Sequence, residues 1–473
     1  MRCTRCNMQP AEVSVSHHGF QGGSRIQLCR HCADELMISR FVPKLPFRPQ
    51  DVLDGLIDET LEQCCTQCGT SDIDVFESGF LGCDSCLDSF GERIAERLLP
   101  EDQRIDHAIL SNPYHVGYLP GWLSGLRAAF YQDRSEFETP MNPEPLIPAS
   151  FSWFDYSGPA DDVVLCSRAT AIRSIQSIPL NRSLTRSETG GFLQGLAEAM
   201  GGESGLLDRH DAAVLHERFF IDDPDDTPEG SISSPQMEIL LGGYEHLRCV
   251  GMTAGLQLAQ LADAIICNVR RVEEVISVRA RIDYGVINRS VMFLGEGVEL
   301  SVFLHLWGLD SFHIIESALQ EACPDGIRAD ILPGAIIRLK TTGCLGISIA
   351  KMKDLLEGCT VALVHYERKA RADMLQQRAD EWKSCLHDMV HRTVNQDRLS
   401  LAQAAQLISD VRTGVVAGFW PSVGRNELTR LAVCVQAAHI RRLYPEEQQA
   451  ERARAALVRA GLSRIIKEEN IDV

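Results

Sequence analysis

The chain has 473 residues, which is too long for one compact core, so we expect two or three domains. Its hydrophobic fraction of 45% and charged fraction of 23% are those of an ordinary globular protein. The formal net charge of −19 argues against non-specific binding to nucleic acid, because neutralising phosphates requires a basic surface. The sequence contains no 18-residue apolar run and begins MRCTRCNMQP, without the apolar core of a signal peptide. We therefore predict a cytoplasmic protein with no membrane-spanning helix.

The first 86 residues hold nine of the 17 cysteines, and eight of these nine form four CxxC pairs. A CxxC turn directs two thiolates at one point, and two such turns complete a tetrahedral zinc site. The spacing predicts two zinc ions per chain, the first bound by Cys3, Cys6, Cys29 and Cys32 and the second by Cys65, Cys68, Cys83 and Cys86. Both sites would be closed structural sites, because four sulfurs fill the coordination shell.

Two alternatives to this zinc assignment concern the cysteines themselves. Redox dithiols or disulfides are possible for single CxxC pairs, but neither explains four evenly paired turns. Cys64 could replace Cys65 as a ligand, although the CxxC spacing favours Cys65. We expect zinc module 1 at residues 1–45 and zinc module 2 at residues 46–118.

The remaining chain is predicted to form a linker at 119–160, an α+β domain at 161–462 and a short tail at 463–473. Proline-rich residues 136–150 mark the linker. Periodicity predicts helices within 191–200 and 255–275, with Thr253 as the N-cap of the second, and strands at 236–243, 297–306 and 334–340. The last 120 residues are expected to be mostly helical. Residues 221–230, IDDPDDTPEG, are predicted to be an exposed acidic turn, because they lack the spacing of a calcium loop.

Residues 241–248, LGGYEHLR, are the most polar strand end in this domain. Three ionisable residues, Glu245, His246 and Arg248, lie here within four consecutive positions. Such a cluster either binds a ligand or consists of side chains that hydrogen-bond one another and hold the strand end, as most polar clusters do. His305, within a predicted strand, is expected to be a satisfied core histidine.

The order of several segments resembles that of the phosphagen (guanidino) kinases, and of bacterial protein-arginine kinases in particular. The segments are DDVVLCSRATAIRSI, EHLRCVGMTAGLQLAQ, GVELSVFLHLWGL, TTGCLGIS, YERKARADML, SDVRTG and GRNEL. The first 118 residues resemble the zinc-binding activator of those kinases. The resemblance implies an activator fused to a kinase-like domain with an antiparallel sheet flanked by helices.

The family's catalytic strand end, Asn-Glu-Glu-Asp-His-x-Arg, corresponds to residues 242–248. Its two glutamate positions are Gly243 and Tyr244 here, so the catalytic carboxylate is replaced and only Glu245 and His246 are left as a remnant.

The arginines that hold the triphosphate in the family are also changed. Arg168 and Arg248 are kept, and they are the candidates for residual contacts with nucleotide phosphates. Four other positions of the family's site carry Thr170, Ser290, Glu299 and Asp330. A glutamate at a phosphate position repels the ligand, so ATP and magnesium are doubtful cofactors.

We therefore expect a non-catalytic, zinc-binding regulator or adaptor in bacterial stress response and Clp-linked protein quality control. By resemblance its partner would be a Clp-type unfoldase, a stress repressor or an active arginine kinase, and the retained fold would supply a scaffold or homodimer surface. The alternative is an active ATP-dependent protein-arginine kinase with a rearranged site that uses Glu245 as base. A zinc-dependent nucleic-acid binder is disfavoured by the charge.

Overall fold

The computed structural model describes residues 13–17, 24–28, 63–98, 153, 156–234, 237–332, 334–343 and 345–468. The first predicted zinc-ligand set and the proline-rich stretch 136–150 lie outside these residues. The chain divides into two compact units, one of Met1–Glu62 and Asp106–Leu123 and one of Gln63–Ile105 and Ser124–Val473. In the first unit the described backbone is an antiparallel hairpin of β1 (Val13–His17) and β2 (Ser24–Leu28).

The second unit is built on an eight-stranded sheet in which every neighbouring pair is antiparallel. Its strands are β3 (Val164–Arg173), β4 (Glu203–Leu206), β5 (Gly230–Ser233), β6 (Glu238–Leu241), β7 (Leu247–Ala254), β10 (Val298–His305), β11 (Ile327–Leu332) and β12 (Ile336–Thr341). They lie side by side in the order β11-β12-β10-β3-β7-β6-β5-β4. A short ribbon of β8 (Ala280–Arg281) and β9 (Gly285–Val286) precedes β10.

Helices surround this sheet. They are α1 (Asp72–Ser78), α2 (Ser85–Leu98), α3 (Arg186–Met200), α4 (Arg209–Glu217), α5 (Leu258–Val275), α6 (Trp307–Ser311), α7 (Ile315–Ala322), α8 (Ile349–Val394), α9 (Leu401–Val416), α10 (Arg425–Cys434), α11 (Ala437–Arg441), α12 (Glu447–Gly461) and α13 (Ser463–Glu468). The predicted fold class, an antiparallel sheet flanked by helices, is confirmed. None of the helices in the described ranges has the length and apolar character needed to cross a bilayer.

Two hydrophobic cores lie on opposite faces of the sheet, because side chains alternate along each strand. Val302 packs in the core formed with α3, α5 and the first half of α8, whereas its neighbour Phe303 packs in the core formed with the C-terminal helices. Helix α8 changes from one core to the other near Arg378, where its backbone leaves helical geometry at φ −146° and ψ 29°. This long helix therefore ties the two sides of the unit together.

The segment around Thr253 differs from its prediction. Thr253 does not cap a helix; it is the next-to-last residue of β7, paired with Ser167 of β3. Helix α5 begins only at Leu258, after Gln257. The strand continues because its ladder with β3 extends to Ala254, which overrides the local preference of threonine for an N-cap.

Candidate functional site

The strand end at residues 241–248 turns between β6 and β7 through two glycines in the left-handed region. Gly242 has φ +84° and Gly243 has φ +87°, conformations that side-chain-bearing residues rarely adopt. A Cβ atom on Gly243 would lie 2.1 Å from Oδ1 of Asp226. The space that a side chain at position 243 would need is therefore occupied by the carboxylate of Asp226.

Glu245 is buried beside this turn, with 4% of its surface exposed. The backbone N–H of Ser290 donates a 3.0 Å hydrogen bond to its Oε1 atom. Its Oε2 atom is buried and has no partner among the described residues. Burial raises the pKa of this carboxyl to about 7, although the Ser290 N–H and the charges of Arg248 and Arg289 act in the opposite direction. Glu245 is thus a buried carboxyl that titrates near neutral pH.

His246 serves a different part of the fold. Its Nδ1 atom accepts a 3.1 Å hydrogen bond from the N–H of Ile175, and its Nε2 atom lies 2.9 Å from the carbonyl oxygen of Arg182. Burial lowers the pKa of His246 to about 4, so the ring is neutral, with its proton on Nε2. The ring holds the end of β3 and the segment that follows it, which is a structural role.

Arg248 binds neither Glu245 nor His246 through a hydrogen bond in the described structure. It forms a buried ion pair with Asp226, and its NH2 also donates to the carbonyl oxygen of Gly242 at 3.3 Å. The expectation that Glu245, His246 and Arg248 hydrogen-bond one another is therefore wrong. Each of them has separate partners: Ser290 for Glu245, Ile175 and Arg182 for His246, and Asp226 for Arg248.

Arg168, on β3, is the second retained arginine and is 2% exposed. Its NH1 atom lies 2.6 Å from Oδ1 of Asp222, and its NH2 atom lies 3.0 Å from Oε1 of Glu299. Burial alone would lower the pKa of Arg168, but these two carboxylates raise it above its ordinary value. The negative charge of Glu299 is thus compensated within the sheet by direct pairing with Arg168.

Asp222 belongs to the predicted acidic turn, and it also forms ion pairs with Arg338 and Lys340. Arg338, on β12, forms an ion pair with Asp222 and donates to Asp330 from NH2 at 2.6 Å. Lys340 Nζ lies 3.4 Å from Oδ2 of Asp222. Burial opposes ionisation of Asp222, but Arg168, Arg338 and Lys340 hold its pKa well below the usual range. The carboxylate is therefore charged and fully paired.

The prediction that residues 221–230 form an exposed acidic turn is thus wrong for two of its carboxylates. Asp226 is buried against Arg248, and Asp222 is paired with Arg168, Arg338 and Lys340. Only Asp225 among the aspartates of this turn is exposed. These pairs stabilise the inward position of the turn, because a buried arginine without a carboxylate partner is costly.

Three further positions from the sequence analysis, Thr170, Asp330 and Ser290, have the following surroundings. Thr170 is buried on β3 directly opposite Glu299 on β10. Asp330, on β11, also pairs with Arg328 at 2.9 Å. Ser290 caps a short 3₁₀ turn, Val291–Phe293, through its side chain. His305 lies elsewhere, buried between Ser409 and Arg412, which confirms it as a core histidine.

The second predicted metal site is assembled. Its four Sγ atoms, from Cys65, Cys68, Cys83 and Cys86, lie within 4.8 Å of one another. Four thiolates bound to one zinc ion at about 2.3 Å would be about 3.8 Å apart, close to the 3.6 Å between Cys65 and Cys83 and the 3.5 Å between Cys68 and Cys86. Cys64 is exposed and is not part of this group. The donor set therefore fits a tetrahedral zinc ion with Cys65 as the ligand.

The cysteine module contacts residues 289–291, which in turn contact the polar strand end, a feature that the sequence did not indicate. Phe80 and Ser290 form an antiparallel bridge, flanked by hydrogen bonds of 2.9 Å from Leu81 N–H to the carbonyl of Arg289 and from Val291 N–H to the carbonyl of Gly79. The bridged residue Ser290 is the one whose N–H holds Glu245. Residues 289–291 therefore contact both the module and the strand end.

Charge and apolar contacts extend this junction. Arg279 pairs with Asp84, and Arg281 pairs with Asp88 at 2.6 Å. The apolar part is one cluster of buried side chains from both sides, comprising Val75, Leu81, Leu87, Phe90, Ile94, Leu180, Ile287, Val291, Leu294 and Leu345 together with Cys65 and Cys86. Among the described residues, the module therefore has no core of its own, because its apolar side chains share this cluster with side chains of the sheet domain.

Comparison with known proteins gives matches over the sheet domain. Residues 218–328 match the family model described as ATP:guanido phosphotransferase, C-terminal catalytic domain. The protein-arginine kinase of Listeria welshimeri serovar 6b is 25% identical over 316 residues, covering 62% of this chain and 91% of that protein. The protein-arginine kinase of Bacillus cereus (strain G9842) is 25% identical over 347 residues, covering 66% and 95%.

Among solved structures, a lombricine kinase matches 65% of this chain and 88% of its own, at 14% identity and a TM-score of 0.40. The sequence matches support a relationship to the ATP:guanido phosphotransferase superfamily, and within it to protein-arginine kinases.

Proposed function

We propose that the chain is a non-catalytic, zinc-binding regulator that uses a kinase-like fold as a scaffold. The observation that carries this proposal is the pairing of the retained arginines. Arg168 is bound by Asp222 and Glu299, and Arg248 is bound by Asp226, all from the chain itself. Carboxylates therefore fill the positions where a kinase of this family would need free positive charge.

Phosphoryl transfer to a guanidinium makes two chemical demands. A carboxylate must remove a proton from the attacking nitrogen, and several cations must stabilise the charge on the transferring phosphoryl group. Gly243 and Tyr244 supply no carboxylate, and the Cβ position of Gly243 is filled by Asp226. Adding a triphosphate beside Asp222 and Glu299 would bring like charges together in a poorly screened place.

The zinc part of the proposal rests on the four converging sulfurs of residues 65–86. Four thiolates complete the shell, so the ion would act structurally and would hold Gly79–Leu81 in place against the sheet domain. Metal-bound modules of this size are suited to docking other proteins. By similarity to protein-arginine kinases, a Clp-type unfoldase, a stress repressor or an active arginine kinase would be the partner.

An active protein-arginine kinase with a rearranged site is the second candidate, and Glu245 is the observation that favours it. A carboxyl whose pKa is about 7 and whose Oε2 atom lacks a partner among the described residues is suited to general-base catalysis near neutral pH. The two proposals differ in what they require of Arg168 and Arg248. A kinase must release both from their carboxylates to bind ATP, whereas a regulator need not.

Calorimetric titration of the purified full-length chain with ATP and Mg²⁺ tests the proposed function. We expect no saturable heat at millimolar nucleotide, because the phosphate-binding cations are already paired. Saturable binding at micromolar ATP, with a stoichiometry near one, would contradict the proposal. Titration of the Arg168→Met variant is the matched control, since binding through the site must weaken when this cation is removed.

A further inference from the structure

Two cysteines outside the cysteine module lie close enough to react with each other. The Sγ atoms of Cys323 and Cys359 are 2.9 Å apart, which is shorter than the 3.6 Å and 3.5 Å between paired sulfurs of the module. The sulfurs of a disulfide are about 2.05 Å apart, so these two would have to approach by roughly 0.9 Å to form one. Small rotations of the two side chains cover a distance of that size.

The two sulfurs are held by neighbouring helices. Cys323 directly follows α7, and its N–H donates a 2.9 Å hydrogen bond to the carbonyl oxygen of Leu319 in that helix. Cys359 lies in the first half of α8 and belongs to the hydrophobic core on that face of the sheet, against which Cys323 packs. A 2.8 Å hydrogen bond from the Tyr366 hydroxyl of α8 to Glu321 of α7 joins the same two helices. The sulfur contact is therefore set by regular secondary structure.

The two thiols differ in their access to solvent. Cys323 is partly exposed, whereas only 3% of Cys359 is exposed. The hydrogen bond from Cys359 lowers the pKa of Cys323, although partial burial acts in the opposite direction, and the same hydrogen bond and burial raise the pKa of Cys359. The thiolate is the reactive form of cysteine. Cys323 is thus the accessible thiol with the greater thiolate character, and Cys359 is a protected neighbour that can react with its oxidised sulfur.

We propose that Cys323 and Cys359 form a reversible disulfide site that hydroperoxides oxidise, with Cys323 as the first thiol to react. This inference goes beyond the proposed function and does not depend on it, because it uses no residue of the strand end or of the cysteine module. In reducing surroundings both thiols stay reduced, so formation of the bond would signal the presence of an oxidant.

The oxidation proceeds in two balanced steps. The Cys323 thiolate attacks one oxygen of the hydroperoxide ROOH, and the O–O bond breaks to give a Cys323 sulfenic acid and an alkoxide. The alkoxide takes up the proton lost by Cys323 and leaves as ROH. The Cys359 thiolate then attacks the Cys323 sulfur, and the departing hydroxide takes up the proton lost by Cys359 and becomes water. The two sulfurs lose two electrons, which the hydroperoxide gains, and exchange with an external dithiol reverses the oxidation.

A bond between these sulfurs would close a loop of residues 324–358. This loop contains β11 and β12, and β11 is the strand at one edge of the sheet. Cross-linking the ends of such a loop removes conformational freedom from the unfolded chain and so stabilises the native state. The bond would also fasten the start of β11, where the N–H of Ile327 donates to the carbonyl oxygen of Pro324. Oxidation should therefore raise the Tm and slow hydrogen exchange of this N–H.

Peptide mapping of the full-length, zinc-loaded chain tests the site. The chain is treated with hydrogen peroxide, free thiols are alkylated, and trypsin digestion follows without reductant. Trypsin releases Cys323 in peptide 290–328 and Cys359 in peptide 354–368, and each peptide contains a single cysteine. We expect these peptides to be joined with loss of two hydrogen atoms and to separate in dithiothreitol. The link should be in roughly tenfold excess over any link to the exposed Cys267 or Cys385, because proximity favours the pair already in contact.

Two variants provide the controls. Cys323→Ser removes the accessible thiol and should abolish the link, whereas Cys267→Ser removes an exposed cysteine of α5 and should leave the link unchanged. Peroxide should raise the Tm of wild type and of Cys267→Ser by several degrees, but not that of Cys323→Ser. Oxidation of the zinc ligands would act equally on all three chains, so the difference in Tm isolates the bond between Cys323 and Cys359.

Cys359→Ala tests the order of the two steps. Without the second thiol, the Cys323 sulfenic acid should persist and be trapped by a cyclic 1,3-dione, seen as an added mass on peptide 290–328. Absence of that adduct, together with a linked wild type, would overturn the assignment of Cys323 as the first thiol.

A folded wild-type chain in which peroxide leaves the two peptides separate would overturn the inference as a whole, and so would linkage of Cys323 mainly to another cysteine. Either result would leave the outcome of the ATP titration, and with it the proposed function, unchanged.

Discussion

The cysteine module and the strand-end site belong to the same compact unit, but their reactive groups are arranged in opposite ways. In the module, Cys65, Cys68, Cys83 and Cys86 converge as a four-sulfur site requires. At the strand end, the buried side chains of Arg168 and Arg248 are paired with carboxylates of the chain itself. One unit therefore contains a cluster arranged for a metal ion and a cluster whose charges are neutralised from within.

The two regions are joined at Arg289–Val291. This segment bridges the module at Phe80 and holds Glu245 through the N–H of Ser290. Unfolding of the module should therefore disturb residues 289–291, and through them the hydrogen bond to Glu245. This link can be tested by changing the module and measuring the strand end.

Removing one metal ligand should have the largest effect. We expect Cys86→Ser to lower zinc by one ion per chain and to unfold residues 63–98, because the binding energy of a structural zinc ion is also folding energy. Hydrogen exchange should then increase at the N–H groups of Leu81 and Val291, whose bonds cross the junction. Elemental analysis and exchange mass spectrometry measure the two effects.

Cys64→Ser is the matched control for that variant. Cys64 is exposed and lies outside the sulfur group, so zinc content and exchange should stay at wild-type values. Loss of zinc from this variant would show that Cys64, rather than Cys65, is the ligand.

Removing Arg168 should have the next largest effect. Arg168→Met keeps an unbranched apolar stem but removes the guanidinium, so Asp222 and Glu299 lose their shared partner. We expect unfolding in urea to show a loss of about 3–5 kcal/mol, typical of a broken buried ion pair. Arg378→Met, which removes an exposed pair with Glu381, should change stability little. If the two substitutions lowered the free energy of unfolding equally, the pairs of Arg168 with Asp222 and Glu299 would contribute no more than an exposed ion pair.

Glu245 should give a smaller, pH-dependent effect. Its pKa is near 4.5 when unfolded and about 7 when folded, so the native state binds the extra proton between these values. Its contribution to stability is therefore present below about pH 4.5 and is lost as pH rises through 7. Glu245→Gln removes that loss, so the stability of the variant should rise relative to wild type across this pH window, by roughly 3 kcal/mol in all.

His246 acts in the opposite direction over part of that range. Its pKa is about 4 in the folded chain, below its unfolded value, so its contribution is lost as pH falls from 6.5 to 4. Comparing Glu245→Gln with wild type at each pH cancels this term, since both chains contain His246. A difference that does not change with pH would contradict a raised pKa at Glu245.

The sequence was sufficient for the fold class, for the strand at 297–306 and for the grouping of Cys65 with Cys68, Cys83 and Cys86. The α+β character, the strand and the cysteine grouping follow from periodicity and spacing within single segments. The antiparallel arrangement of the sheet was implied by the resemblance to the phosphagen kinases. The position of Asp226 over Gly243 could not be predicted in this way, because it depends on two segments 17 residues apart meeting at a turn.

In the acidic turn at residues 221–230, composition gave the wrong prediction of solvent exposure for two aspartates. Four aspartates between Ile221 and Asp226 are typical of a solvated turn, and only the structure reveals that buried arginines draw two of them inward. The contacts of Phe80 with Ser290 were hidden for the same reason: they join residues more than 200 positions apart.

A phosphoryl-transfer assay with radiolabelled ATP and an unfolded acceptor protein tests the central claim most directly. Loss of a general base costs about 10²–10⁴-fold and loss of charge stabilisation about 10²–10³-fold per donor, so we expect wild type and Glu245→Gln to give the same background incorporation. Incorporation of phosphate into arginine by the wild-type chain that disappears in Glu245→Gln would contradict the claim and establish a working kinase.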